Sequence, residues 1–148
     1  MEGWRELVST ASGSPVEMHP QMVLTGLDRM YTLTKKYRIK VAFGTDILFS
    51  AEQAKDQGSL LVMTTRWYSP AEALAMATGL GAQLLALSGE RNPYPGKLGM
   101  VEEGALADLL LVDGNPIEDI KLVADPTKNF VVIMKDGKVY KNTLSKGT

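Results

Sequence analysis

Ile39-Lys40-Val41-Ala42-Phe43-Gly44-Thr45-Asp46 is the stretch whose reading decides the fold. Ile39, Val41, Ala42 and Phe43 form a short apolar, partly β-branched run, which predicts a buried strand. Gly44 ends the run, and Asp46 follows just beyond the strand's carboxyl end. In parallel α/β folds reactive groups gather at that end, because the loops there converge on a cleft. Asp46 is therefore the foremost candidate for chemistry. Gly-Thr-Asp is equally an ordinary turn in which Asp caps a helix or closes an Asx-turn, so the choice rests on the surrounding chain.

Upstream, Val23, Leu27, Met30, Tyr31 and Tyr37 recur at helical spacing from Gln21 to Tyr37. Lys35 and Lys36 fall in the last turn, where cations suit the helix dipole. Arg38 alone separates this helix from the strand. Ahead of it, Trp4 to Ser9 fits a helical turn or a strand, and Thr10 to Pro15 is loop-like in composition.

Downstream, Leu60, Leu61, Met63, Thr64 and Trp67 form one face of a helix that starts near Ser50 or near Ser59. Ser69-Pro70-Ala71-Glu72 has the residues of a capping box, with Pro at the first helical position. The helix Pro70 to Thr78 is expected to bury Leu74 and Ala77. Gly79 and Gly81 are expected to interrupt it before a second helix, Ala82 to Leu87. Asn92 to Gly99 is rich in Pro and Gly and marks a subdomain boundary, giving segments 1–91 and 92–148. Beyond it, Ala107 to Val112 reads as a strand and Ile117 to Leu122 as one helical turn. Phe130 to Lys135 and Lys138 to Lys141 flank Asp136-Gly137, a type I′ hairpin signal.

Composition narrows the function. The chain has 148 residues, 45% hydrophobic and 22% charged, as in an ordinary globular domain. Its 16 basic and 17 acidic residues leave a net charge of -1, which gives no electrostatic case for nucleic acid or an anionic membrane. No apolar run approaches the ~20 residues that span a bilayer, and the start lacks the order of a signal peptide. The expectation is a cytoplasmic protein without a membrane partner. Cysteine is absent, which excludes disulfides and thiolate metal ligands. His19 is the single histidine. A hydrolytic zinc site takes three protein ligands, in most variants two or more of them His, so one copy of the chain cannot supply that set. His19, before Pro20 at a helix start, is expected to be structural or exposed.

Several of these pieces together resemble the metal-dependent amidohydrolase superfamily. Val41-Ala-Phe-Gly-Thr-Asp46 resembles its last barrel strand, and Ser69-Pro-Ala-Glu-Ala-Leu-Ala-Met-Ala-Thr78 the helix after it. Gly104-Ala-Leu-Ala-Asp-Leu-Leu-Leu-Val-Asp-Gly-Asn-Pro116 and the Met134-Lys-Asp-Gly-Lys138 hairpin resemble its C-terminal β-domain. The nearest branch is the imidazolonepropionase-like and dipeptidase-like amidohydrolases, and the likeness runs from about Val16 to Asn142. It implies a (β/α)8 barrel, a β-sandwich built from both chain termini, and one or two divalent metals, usually zinc. The ligands are a His-x-His pair, often a carboxylated lysine, further histidines, and an aspartate on the last strand. Asp46 matches that aspartate, which in the family binds metal and handles the proton of the attacking water.

The departure is equally plain. No His-x-His is present, and a whole barrel takes about 250 residues. The resulting expectation is an α/β fragment: the last helix-strand-helix part of a barrel, followed by a small β subdomain. Its parent would hydrolyse amide-type C–N bonds in a small-molecule or peptide-like substrate, with this chain inactive alone; the metal belongs to the intact enzyme, and this chain either shares in binding it or holds none. Leu48, Phe49 and Gln53 follow Asp46 and are weak candidates for a substrate pocket; core or surface roles fit them equally. Asp108 is expected to satisfy backbone groups. Trp67 and Tyr68 are expected to pack at a helix junction, and Lys135, Lys138 and Lys141 to form a solvated face. An unpaired barrel strand and apolar helix faces predict a homo-oligomer. Two further readings stand beside this one: an oligomer that rebuilds a metal site from Asp46 and His19 of several copies, and a non-catalytic self-associating module.

Overall fold

A computed structural model describes residues 20–47 and 50–144. The chain divides after Lys40 into two compact units, each taken by itself below.

In the first unit, helix α1 spans Pro20–Lys36, as the apolar periodicity predicts. Its end is a Schellman motif. The Ile39 N–H donates to the Thr34 carbonyl at 2.9 Å and the Arg38 N–H to the Lys35 carbonyl at 3.2 Å. Arg38 takes the left-handed conformation this motif requires, with φ 51°. Trp4 to Ser9, Thr10 to Pro15 and His19 lie outside the described residues.

The second unit departs first at the expected strand. Residues 39–47 form no strand, and Val41, Ala42 and Phe43 are only half-buried. A strand exists through lateral backbone pairing, and the sheet of this unit is built elsewhere. Within this unit the Phe43 N–H donates to the Met76 carbonyl at 3.0 Å.

Helix α2 covers Gln57–Met63, preceded by a 3-10 turn at Gln53–Asp56 and followed by another at Thr64–Arg66. Helix α3 covers Pro70–Ala77 and begins with the predicted capping box. The Glu72 N–H donates to Ser69 Oγ at 3.3 Å, and the Ser69 N–H to Glu72 Oε2 at 2.7 Å. Its buried residues are Ala73 and Met76, not Leu74 and Ala77. The break that follows falls on Thr78, whose φ of −120° and ψ of −97° leave the helical region. Gly79 and Gly81 belong to the next helix, α4, at Gly79–Ala86.

Residues 92–99 are irregular, and Lys97 then bridges to Ala105. The sheet has three antiparallel strands in the order β1 (Leu109–Val112), β2 (Phe130–Lys135) and β3 (Lys138–Asn142). Strand β1 begins two residues later than expected. Between β1 and β2 lie a 3-10 turn, Ile120–Ala124, and a short helix α5, Pro126–Asn129. Asp136 and Gly137 have φ of 50° and 74°, the positive pair that a type I′ turn needs.

Asp108 fastens this turn. Its Oδ1 accepts the Asp136 N–H at 2.7 Å and its Oδ2 the Lys135 ammonium at 2.6 Å. The Ala107 carbonyl accepts the Gly137 N–H at 3.1 Å. The expected backbone-satisfying role of Asp108 is what the structure shows. Of the lysines expected on a solvated face, Lys135 and Lys138 are exposed and Lys141 is half-buried. Lys135 pairs with Asp108, and Lys141 donates to the Pro126 and Thr127 carbonyls at 3.0 and 2.7 Å. The ammonium of Lys138 sits 5.1 Å from the centre of the Tyr140 ring.

The hydrogen bond from Lys135, then that from the Asp136 backbone, holds the Asp108 carboxyl below its ordinary 3.8. The same contact raises the Lys135 ammonium above 10.5. A depressed carboxyl stabilises the fold fully above its unfolded value and loses that contribution as pH falls through the folded one; a raised ammonium does the reverse at the alkaline end. Amide exchange at Asp136 should therefore stay constant through neutral pH, once corrected for intrinsic rates, and lose protection in acid as pH falls through the depressed Asp108 value, below 3.8. Asp108→Ala should remove that protection at every pH.

The core of the second unit joins Leu61, Ala73, Ile120 and Val123, with Phe43, Val62, Leu74 and Phe130 packed around them. It draws on α2, α3, the 120–124 turn and β2. Where α2 meets that turn the backbones nearly touch: a Cβ on Gly58 would lie 1.9 Å from the Val123 carbonyl oxygen.

Candidate functional site

Two anchors position Asp46. The Phe43 ring packs against the Leu61–Ala73–Ile120–Val123 cluster, and its N–H is tied to the last turn of α3 through Met76. Three residues on, Asp46 is exposed and has a φ of 52°. Such a left-handed residue is uncommon outside glycine, and Asp and Asn are among the side chains that tolerate it. The chain thus turns sharply at Asp46, beyond a segment fixed to the core.

Gln53 is half-buried at the start of the first 3-10 turn, where its N–H donates to Ser50 Oγ at 3.2 Å. That bond gives Gln53 a local structural part. Leu48 and Phe49 lie outside the described residues. Trp67 and Tyr68 are half-buried at the junction between α2 and α3, as expected. Sequence reading overlooked Met76 and Ala73, the α3 residues that receive the Asp46 segment. The capping box fixed where α3 starts, but not which of its adjoining apolar positions faces inward.

Among the described residues no three His, Cys, Asp or Glu side chains lie where they could hold an ion together. The sequence has one histidine and no cysteine. A zinc site draws three protein ligands from such groups, so the described residues of one copy do not fit the ion.

The profile of the amidohydrolase family matches residues 23–147. The chain belongs to that family. No curated protein matches it significantly. Among solved structures, this amidohydrolase chain is similar to a crystal structure of an amidohydrolase at 28% identity and a TM-score of 0.74, covering 96% of this chain and 33% of that one. It is similar to a prolidase complexed with N-methylphosphonate-L-proline at 29% identity and a TM-score of 0.64, covering 78% and 26%. It also shares the fold of the A. niger ochratoxinase at 22% identity and a TM-score of 0.71, covering 95% and 30%. The chain therefore spans about a quarter to a third of the length of these structures. The family match extends over Asp46, over the capped helix α3 and over the hairpin. An amidohydrolase-like α/β fold, with helices and a small antiparallel sheet, is what these residues form.

Proposed function

We propose that this chain is the C-terminal portion of a metal-dependent hydrolase that cleaves amide-type C–N bonds. In the intact enzyme its first part completes a (β/α)8 barrel, and residues from about 92 onward form the β subdomain. Asp46 is the last-strand aspartate, a metal ligand that also handles the proton of the hydrolytic water. The observation that carries this reading is the family match running through Asp46 in a chain whose described residues assemble no donor set. In this reading Asp46 is one site residue, and its companions lie outside the described residues.

The likeness to a prolidase supports a peptide or cyclic amide as the substrate class. The proposed ion is divalent, most simply zinc, and it belongs to the completed enzyme. Within this chain, the Phe43 packing and the Met76 bond fix the segment, and the left-handed turn sets where the Asp46 carboxylate leaves it. No helix among the described residues is long and apolar enough to cross a membrane.

Sequencing the source DNA upstream of Met1 tests the fragment reading. An open frame that continues upstream and encodes His-x-His is expected. A frame that is closed, or that runs on without histidine pairs, would overturn it.

A further inference from the structure

We propose that two copies of this chain pair through the outer edge of β1, antiparallel and two-fold about Leu110. The segment expected to seek a partner, 39–43, is not a strand, whereas β1 is a strand with one side unpaired among the described residues. The order β1-β2-β3 leaves two sheet edges, and they differ in chemistry. The β3 edge, Lys-Val-Tyr-Lys-Asn, carries two lysines, a common guard against strand addition. The β1 edge, Leu-Leu-Leu-Val, carries no charge, and its three leucines are 37%, 57% and 49% exposed.

The hydrogen-bond direction along β1 follows from the hairpin. In a two-residue turn the flanking pair, Lys135 and Lys138, bond each other. By alternation Met134 turns its backbone toward β1, where its partner is Leu109. The Gly137 to Ala107 bond and the Asp113 to Asn129 bond place 107 and 113 on that same inward parity. Leu110 and Val112 therefore aim their N–H and C=O groups away from β2, along the open edge.

An edge with an outward residue at its centre is self-complementary. Two copies related by a two-fold axis at Leu110 exchange a reciprocal pair of N–H to C=O bonds between their Leu110 residues, an isologous contact. In that register Leu109 faces the partner copy's Leu111 on one side of the joined sheet, and the two Leu110 side chains meet on the other. Asp108 comes opposite Val112 and Asp113 opposite Ala107, so no like charges are opposed. The Asp108 charge is already matched by Lys135 at 2.6 Å. Pairing over so short a strand is small beside the ~1,200–2,000 Å² of a stable interface, so the dimer is concentration-dependent. This inference does not depend on the catalytic reading.

Sedimentation or light scattering from about 10 µM to 1 mM reads it directly. The apparent mass should rise from 16.1 kDa toward twice that value, and the Leu110 and Val112 amides should gain protection with concentration. Leu110→Lys sets two ammonium groups opposite each other and should hold the mass at the monomer value. Val139→Lys, on the β3 edge, should dimerise like the wild type, and far-UV circular dichroism checks that both variants fold. A wild type that stays monomeric throughout, or a Leu110→Lys variant that dimerises undiminished, would overturn the proposal. So would Leu110 and Val112 protection that is independent of dilution, which would mean that another segment of the same chain covers the edge. Should Leu110→Lys fail to fold, the wild-type amide protection decides alone.

Discussion

Gly58→Ala should cost the second unit about 3 kcal/mol or more, against a total stability of about 5–15 kcal/mol for a domain. The added methyl would enter at 1.9 Å from the Val123 carbonyl oxygen and 2.8 Å from its carbon. Both are backbone atoms and cannot rotate aside, so α2 and the 120–124 turn must separate. Leu61, Ile120 and Val123 would then lose the packing that forms the core. Gly26→Ala is the matched control, because its Cβ would meet nothing within 4 Å in α1. There the ordinary helix preference for alanine should raise helix stability by up to about 1 kcal/mol. Urea midpoints read the first variant, and helicity of the first unit reads the second. Equal and favourable shifts in both would mean that the close approach at Gly58 is absent.

Asp46→Asn should leave the fold of this chain unchanged and reduce turnover of the intact enzyme on the order of 10²- to 10⁴-fold. Asparagine suits the test because it shares with aspartate a tolerance of positive φ, so the turn at 52° is retained. What changes is the carboxylate, which loses its charge and its capacity to take a proton. The folded state is checked by the urea midpoint, and the rate by turnover of a dipeptide or cyclic amide. Turnover that survives within threefold would remove Asp46 from the site. A collapse of stability instead would assign it a structural part.

How much of this was legible in the sequence differs from element to element. Helix α1, the α3 capping box and the Asp136-Gly137 hairpin were legible because each is fixed by neighbours within a few residues. The order of helices and sheet strands was legible for the same reason. Ile39 to Phe43 has the composition of a strand, but a strand is a relation between segments, and its composition does not say whether a partner is at hand. The inward face of α3 depends on what packs against it, and Ala73 is small enough that the backbone of the neighbouring segment could approach. The break at Thr78 arose where two glycines suggested one slightly later. Gly58 was unremarkable in sequence, because only the approach of Val123, 65 residues away, gives it a purpose. Asp46 became a candidate through its place after an apolar run and through family likeness, whereas its left-handed conformation came only with the structure.

The central claim is that this chain carries one ligand of a metal site and lacks the remainder. Zinc content of the purified 148-residue chain, after dialysis against buffer with a slight excess of zinc and removal of the free ion, tests it most directly. The account predicts well under a tenth of an equivalent per chain, unchanged by Asp46→Ala, with no chelator-sensitive amidase activity. One equivalent of tightly held zinc per chain, lost with Asp46→Ala and accompanied by turnover, would contradict it.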